Sequence, residues 1–171
     1  AYNYIDQNFV VDHDHDGEGE HGSHVEGIAA ANKYIENEDG TFVSALDSVK
    51  VQGVAPDAQL IVMKGFGQGG GAYDSDYMAA IEDAVVLGCD SVNLSLGSGN
   101  PGFSRNATEE FAAILDSLAE NGTVVTMSAG NSYSWPEYAA NGNGVLYGDD
   151  VSFQTNGSPG SFTNSLTVAS V

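Results

Sequence analysis

Short apolar runs alternate along this chain with stretches of helical period. Residues 60–63 form one run (Leu-Ile-Val-Met), residues 92–96 and 124–127 the next two, and residues 166–171 the last. Each has the length of a strand, and runs of this kind belong to strands covered on both faces of a parallel sheet. Between them the period changes. Met78, Ile81 and Val85 lie on one helical stripe, opened by Asp74 or Ser75 and closed by Gly88. Phe111, Ile114, Leu115 and Leu118 lie on another, capped by Thr108 and stopped by Gly122, with Glu109 and Glu110 at the positive end of the dipole. A further helix is expected from near His21, with Val25, Ile28 and Ala29 on its apolar side. Residues 2–11 read as extended, residues 36–50 as a polar surface excursion and residues 131–160 as a long polar and aromatic loop. Strands alternating with helices predict an α/β architecture with a mostly parallel sheet and right-handed crossovers.

In such a sheet, ligands bind at the carboxyl ends of the strands. Here those ends run into small residues: a glycine-rich segment at 65–71, then Ser95-Leu96-Gly97, then Ser128-Ala129-Gly130-Asn131. Small side chains let another backbone come close, and Asn131 ends a strand where its amide can point at a ligand. The clustering locates a site from residue types alone.

Composition narrows the chemistry. The 171 residues carry 4 Lys and Arg against 24 Asp and Glu, a formal net charge of −20. Nucleic-acid binding needs basic side chains to displace counterions, and an anionic membrane surface repels an acidic chain. Neither is expected as a partner. An apolar share of 42%, with 22 glycines, is enough for a core and argues against disorder. The lone cysteine, Cys89, is expected to be buried; it excludes an internal disulfide and a cysteine-based metal cluster within the chain. No apolar run is long enough to span a membrane, and no signal peptide is present. The chain opens on Ala1-Tyr2-Asn3-Tyr4 and stops within an apolar run at Val171, so both ends read as cuts through structured sequence.

Several motifs invite chemistry. All 4 histidines fall within residues 13–24, amid Asp12, Asp14, Asp16, Glu18, Glu20 and Glu26. The zinc-protease spelling His-Glu-x-x-His is absent; the spacing is His21-x-x-His24. Asp12-x-Asp14-x-Asp16-Gly17 matches the start of a calcium loop, but the twelfth position is Ser23 instead of a bidentate Glu. A solvated acidic loop is the preferred reading, with structural calcium on Asp12, Asp14 and Asp16 as the alternative. Gly65-x-Gly67-x-x-Gly70 has the outline of a dinucleotide loop. The next strand offers no acid for a ribose, and the next helix begins too late to reach a pyrophosphate. Glycosylation sequons at Asn93, Asn106, Asn121 and Asn156 are read as chance, because Asn93 is expected inside a buried strand.

Taken together, these segments resemble the subtilisin-like serine proteases. His21-Gly22-Ser23-His24-Val25-Glu26-Gly27 is similar to the family's His motif, with Ser in place of Thr. Gly53-Val54-Ala55-Pro56, the strand Val92-Asn93-Leu94-Ser95-Leu96-Gly97, Met127-Ser128-Ala129-Gly130-Asn131 and the segment from Ser158-Pro159-Gly160 onward resemble other family segments, in the family's order. The spacing and the acidic loop before His21 look most like the lactocepin-type cell-envelope proteinases of Gram-positive bacteria. Two departures matter. No Asp-Ser/Thr-Gly context precedes His21, since Asp6 and Asp12 lack it, and no Gly-Thr-Ser-Met-Ala motif follows.

The resemblance implies a three-layer subtilisin-like fold, of which residues 1–171 are a partial domain. They are its central part, without the upstream Asp strand and the downstream Ser helix. It implies a serine endopeptidase in the parent protein, with His21 as general base and Asn131 as oxyanion donor, and a fragment that is inactive alone. Residues Gly69, Gly70, Gly71, Ser95, Leu96 and Gly97 would form two backbone edges for an extended peptide. Leu96, Ala129 and Gly130 would border the primary specificity pocket, Ser128 would be a further substrate-binding residue, and Tyr73 would rim a more distal pocket. No cofactor is required for catalysis. The expected partners are polypeptide substrates and the remainder of the same catalytic domain, in a secreted or wall-attached protein. The rival reading is a noncatalytic pseudoprotease that binds peptides or calcium.

Overall fold

A computed structural model of the chain describes residues 1–12, 19–46, 48–67, 69–97, 109–130, 157 and 159–169. It divides into two units, Ala1–Tyr77 and Met78–Val171.

The second unit holds a three-stranded parallel sheet. Strands β5 (Ser91–Leu94), β6 (Val124–Ser128) and β7 (Leu166–Val168) pair in the order β5-β6-β7, with Leu94 opposite Met127 and Ser128 opposite Val168. Helix α3 (Glu109–Glu120) packs on β6. Its stripe is where the sequence puts it: Phe111, Leu115 and Leu118 are buried, and Ile114 is half-buried. They join Leu94, Val125 and Met127 from the sheet, and Ala80, Ile81 and Ala84 from helix α2 (Asp74–Val86), in the apolar core of this unit. Both helices end as expected, on glycines in the left-handed region. Gly88 (φ +70°) and Gly122 (φ +79°) let the chain double back. The N–H of Cys89 then reaches the Ala84 carbonyl, and that of Thr123 the Leu118 carbonyl, each at 3.0 Å.

The sheet departs from expectation in one respect. Its strands alternate instead of being covered on both faces: Val125 and Met127 are buried, while Val124 is 52% exposed. The paired Asn93 and Thr126 lie on the open face with Val124, so Asn93 is exposed, not buried. A row of polar side chains that bond one another needs no apolar cover, which is why this face holds as a strand without it. The paired strands are also shorter than the apolar runs, β5 ending at Leu94 and β7 at Val168. Cys89 is half-buried.

The first unit is built from smaller pieces. Strands β1 (Tyr2–Asn3) and β4 (Met63–Lys64) pair in parallel, and β2 (Tyr34–Glu36) pairs antiparallel with β3 (Phe42–Ser44). The extended reading of residues 2–11 fails after Asn3. The buried Asn3 amide accepts from the N–H groups of Ile5 and Asp6 and donates to Asp6 Oδ2 and the Val10 carbonyl. An amide that offers the backbone this many partners turns the chain instead of continuing a ladder. The polar excursion expected over residues 36–50 contains the turn and second strand of the β2–β3 hairpin, and Asp39 holds the turn. The Thr41 hydroxyl (2.6 Å) and amide (3.0 Å) donate to its carboxylate, holding Asp39 below its ordinary pKa. Helix α1 (His21–Ala30) forms as expected, yet none of its residues is buried and Ile28 is 57% exposed. Of the apolar side read at Val25, Ile28 and Ala29, Val25 is half-buried and the other two are exposed.

Candidate active site

His21 is the first residue of α1 and is exposed. What fixes it is the far end of its own helix. The last carbonyls of a helix need donors, and here they come from one segment. Gly53 N–H donates to the Ala31 carbonyl (3.0 Å), Val54 N–H to Ile28 (2.9 Å) and Ala55 N–H to Ala29 (2.8 Å). Gly53 must be glycine for this contact, since a Cβ there would lie 2.5 Å from the backbone nitrogens of Ala30 and Ala31. The Asn32 amide donates to the Val51 carbonyl (2.7 Å), and the Gln52 amide returns a bond to the Asn32 carbonyl (3.0 Å). Lys33 forms an ion pair with Asp57. The Gly-Val-Ala-Pro motif is therefore the clamp on the helix that presents His21. The sequence carries the motif, but the role shows only in the packing.

The second group of site residues sits where β5 and β6 end. Their backbone pairing stops at Leu94 and Met127, and the next residues are Ser95-Leu96-Gly97 and Ser128-Ala129-Gly130. Ser128 Oγ donates to the Leu96 carbonyl at 3.0 Å, so the structure brings these two segments together. On the same face, Thr126 Oγ1 donates to Asn93 Oδ1 (3.1 Å), and Asn93 Nδ2 donates to Ser95 Oγ (2.9 Å). The end of β6 is fixed from its other side as well. Ala129 N–H donates to the Val168 carbonyl (2.9 Å), and Gly157 N–H to the Ala129 carbonyl (2.8 Å). Gly160 lies so close that a Cβ would come within 2.5 Å of the Ser128 carbonyl oxygen. The chain leading into Asn131 is thus held on both edges. Asn131 itself lies outside the described residues. Asn93, Thr126 and Gly160 escaped the sequence reading as site residues. An Asn opposite a Thr in neighbouring strands becomes visible only once the register is known.

The remaining candidates belong to the first unit. Gly69, Gly70 and Gly71 are exposed, with nothing near the position of an added Cβ. They form a turn closed by bonds from Gly67 N–H to the Gly71 carbonyl and from Gly70 N–H to the Gly67 carbonyl, with Gly70 at φ +69°. Tyr73 is 79% exposed. Asp12 is exposed, and the Lys64 ammonium donates to its main-chain carbonyl at 3.3 Å. Asp14 and Asp16 lie outside the described residues. Among the described residues, no His, Cys, Asp and Glu side chains group together as metal ligands. No helix is long and apolar enough to cross a membrane among those residues.

A parallel sheet with helices, whose strand ends hold small-residue segments in place, defines an α/β protein, a class that binds ligands at the carboxyl edge of the sheet. The chain belongs to the subtilase family, which it matches over residues 2–171. It is 37% identical to the PI-type proteinase of Lactococcus lactis subsp. cremoris over 176 residues, covering 99% of this chain and 8% of that protein. It is 28% identical to the C5a peptidase of Streptococcus pyogenes over 174 residues, covering 98% of this chain and 14% of that protein. A solved structure described as an S41 psychrophilic protease superposes with a TM-score of 0.56 at 25% identity, covering 86% of this chain and 38% of that one. The likeness to cell-envelope proteinases read from the sequence is borne out by the lactococcal relatives. The chain spans only a small part of the length of these curated relatives.

Proposed function

We propose that the protein containing this chain is a serine endopeptidase, and that residues 1–171 are the central part of its catalytic domain. The observation that carries this is the subtilase match over residues 2–171, with the His motif heading a clamped helix. His21 takes the proton of a Ser supplied by sequence beyond this chain and later protonates the leaving amine. An Asp, also supplied from outside the chain, holds the imidazole tautomer. The Asn131 amide donates to the oxyanion of the tetrahedral intermediate, where a preorganised dipole in a dry site stabilises charge as it develops.

The substrate is an extended polypeptide bound by strand addition at residues 95–97. Successive carbonyls of an extended strand point to opposite edges. With the Leu96 carbonyl turned to Ser128, an extended 95–97 segment would present the carbonyls of Ser95 and Gly97 to a peptide on the other edge. Gly69, Gly70 and Gly71 supply the second edge, and their exposure leaves room for substrate side chains. Leu96, Ala129 and Gly130 border the primary pocket, and Tyr73 rims a more distal one. No cofactor takes part in the chemistry. The relatives come from Gram-positive bacteria, which supports a secreted or wall-attached protein. The remainder of the catalytic domain is the partner of this segment.

The full-length protein should cleave a quenched-fluorescent peptide library, lose that activity to a sulfonyl fluoride, and lose several orders of magnitude in kcat/KM on His21→Ala. Insensitivity to the inhibitor, or full activity in the variant, would overturn the assignment. A gene whose flanking sequence lacks either the Asp or the Ser motif would make the protein a noncatalytic peptide binder instead.

A further inference from the structure

The backbone ladder of β5 and β6 ends at Leu94 opposite Met127, and side chains add ties along it and past its end. Asn93 and Thr126, which face each other in the ladder, are joined at 3.1 Å, and the same Asn93 amide reaches forward to Ser95 at 2.9 Å. One step further along, Ser128 Oγ reaches the Leu96 carbonyl at 3.0 Å. Past the Leu94–Met127 pair this hydroxyl adds a tie from β6, which its pairing with Val168 already holds, to the 95–97 segment. The rest of the β6 end is anchored away from β5, on Val168 and Gly157 through Ala129. Its position is therefore fixed, and the Ser128 bond draws the 95–97 segment toward a rigid wall. Because the hydroxyl proton is spent on the protein's own carbonyl, Ser128 does not donate it to a ligand.

We infer that Ser128 is a specificity-positioning residue: its hydroxyl, bonded to the Leu96 carbonyl, sets the width of the primary side-chain pocket between residues 95–97 and 128–130. This rests on the protease reading above and says what in the site discriminates among substrates. A pocket whose walls are tied rejects side chains that would force them apart. Without the tie, the 95–97 segment moves outward and discrimination by side-chain size falls.

The test uses the full-length proteinase and a set of peptides that differ only in the residue before the scissile bond, from Ala to Phe. Ser128→Ala removes the hydroxyl, Ser128→Thr keeps it, and Ser128→Val has the shape of the Thr variant without the donor. The ratio of kcat/KM between the best and worst of these peptides should fall at least tenfold in the Ala and Val variants. It should stay within about threefold of the parent in the Thr variant. The change should appear in KM more than in kcat, and thermal midpoints should not track it. Matching profiles in the Thr and Val variants of an active enzyme would overturn the inference alone. If the Val variant does not fold, an unchanged profile in the Ala variant would overturn it equally. A parent without serine-dependent peptidase activity would overturn the protease reading and the inference with it.

Discussion

His21 and Asn131 are asked for different things, and their removal should look different. On the proposed mechanism, Asn131→Ala in the full-length protein removes a donor that matters only once charge has formed on the oxygen. Turnover should fall by about 10²–10³ with KM little changed, a magnitude measured on subtilisin itself and carried over to this relative. Steady-state kinetics on a single peptide would check it, and an equal rise in KM would place Asn131 in ground-state binding instead. On the same mechanism, His21→Ala removes the proton acceptor of the nucleophile, so both kcat and kcat/KM should collapse. Circular dichroism should be unchanged, because His21 is exposed and its ring supports nothing in the core.

The elements owe their placement to a few close backbone contacts, and these are sharper targets than the exposed loops. Gly53→Ala would push a methyl to 2.5 Å from the nitrogens of Ala30 and Ala31. Backbone cannot give way as a flexible side chain would, so the domain should lose about 1–3 kcal/mol or more. Activity should fall with it, because the clamp is on the helix that carries His21. Gly69→Ala meets nothing within 4 Å and should leave the thermal midpoint within the range of ordinary surface changes. Comparing thermal melts of the two variants separates the roles. An equally stable Gly53→Ala protein would show that the clamp is not what holds α1. Within the sheet unit, Leu115 is fully buried, and Leu115→Ala should cost about 2–5 kcal/mol in a denaturant titration.

At the scale of the molecule, the two units differ in how much they bury. Ala45 is the one buried apolar side chain described in the first unit, where Val54 is 87% exposed and Phe9 80%. Expressed by itself, residues 1–171 should bind a hydrophobic dye and should not hydrolyse peptides. A His without a nucleophile has nothing to activate, and an oxyanion donor acts only after an attack. Serine-inhibitor-sensitive proteolysis by this fragment would show that the chemistry sits on other residues. The acidic loop gives a second whole-molecule expectation. The Lys64 ammonium beside the Asp12 carbonyl already supplies positive charge at the base of the loop. We therefore expect a chelator to leave the melting temperature of the full-length protein unchanged. A drop of several degrees, restored by calcium, would turn Asp12, Asp14 and Asp16 into ligands.

Local rules were enough for much of this. The helical stripe of Phe111, Leu115 and Leu118 needs only a 3.6-residue period, and Gly88 and Gly122 mark helix ends because few other residues accept their φ. The strands β5 and β6, the family order of the motifs and His21 at a helix start were legible for the same reason: each is written within a few consecutive residues. What the sequence misread depended on distant partners. Residues 2–11 look extended until the Asn3 amide is seen to hold four groups of the following turn. Asn93 looks buried until the register sets it beside Thr126 on the open face. Gly53 and Gly160 look like ordinary loop glycines until another backbone arrives within van der Waals distance. Whether Ser128 faces a ligand or the Leu96 carbonyl was likewise decided by tertiary structure alone. Periodicity and turn chemistry are properties of neighbours in sequence, whereas a hydrogen bond between strand ends is a property of register, which no local pattern contains.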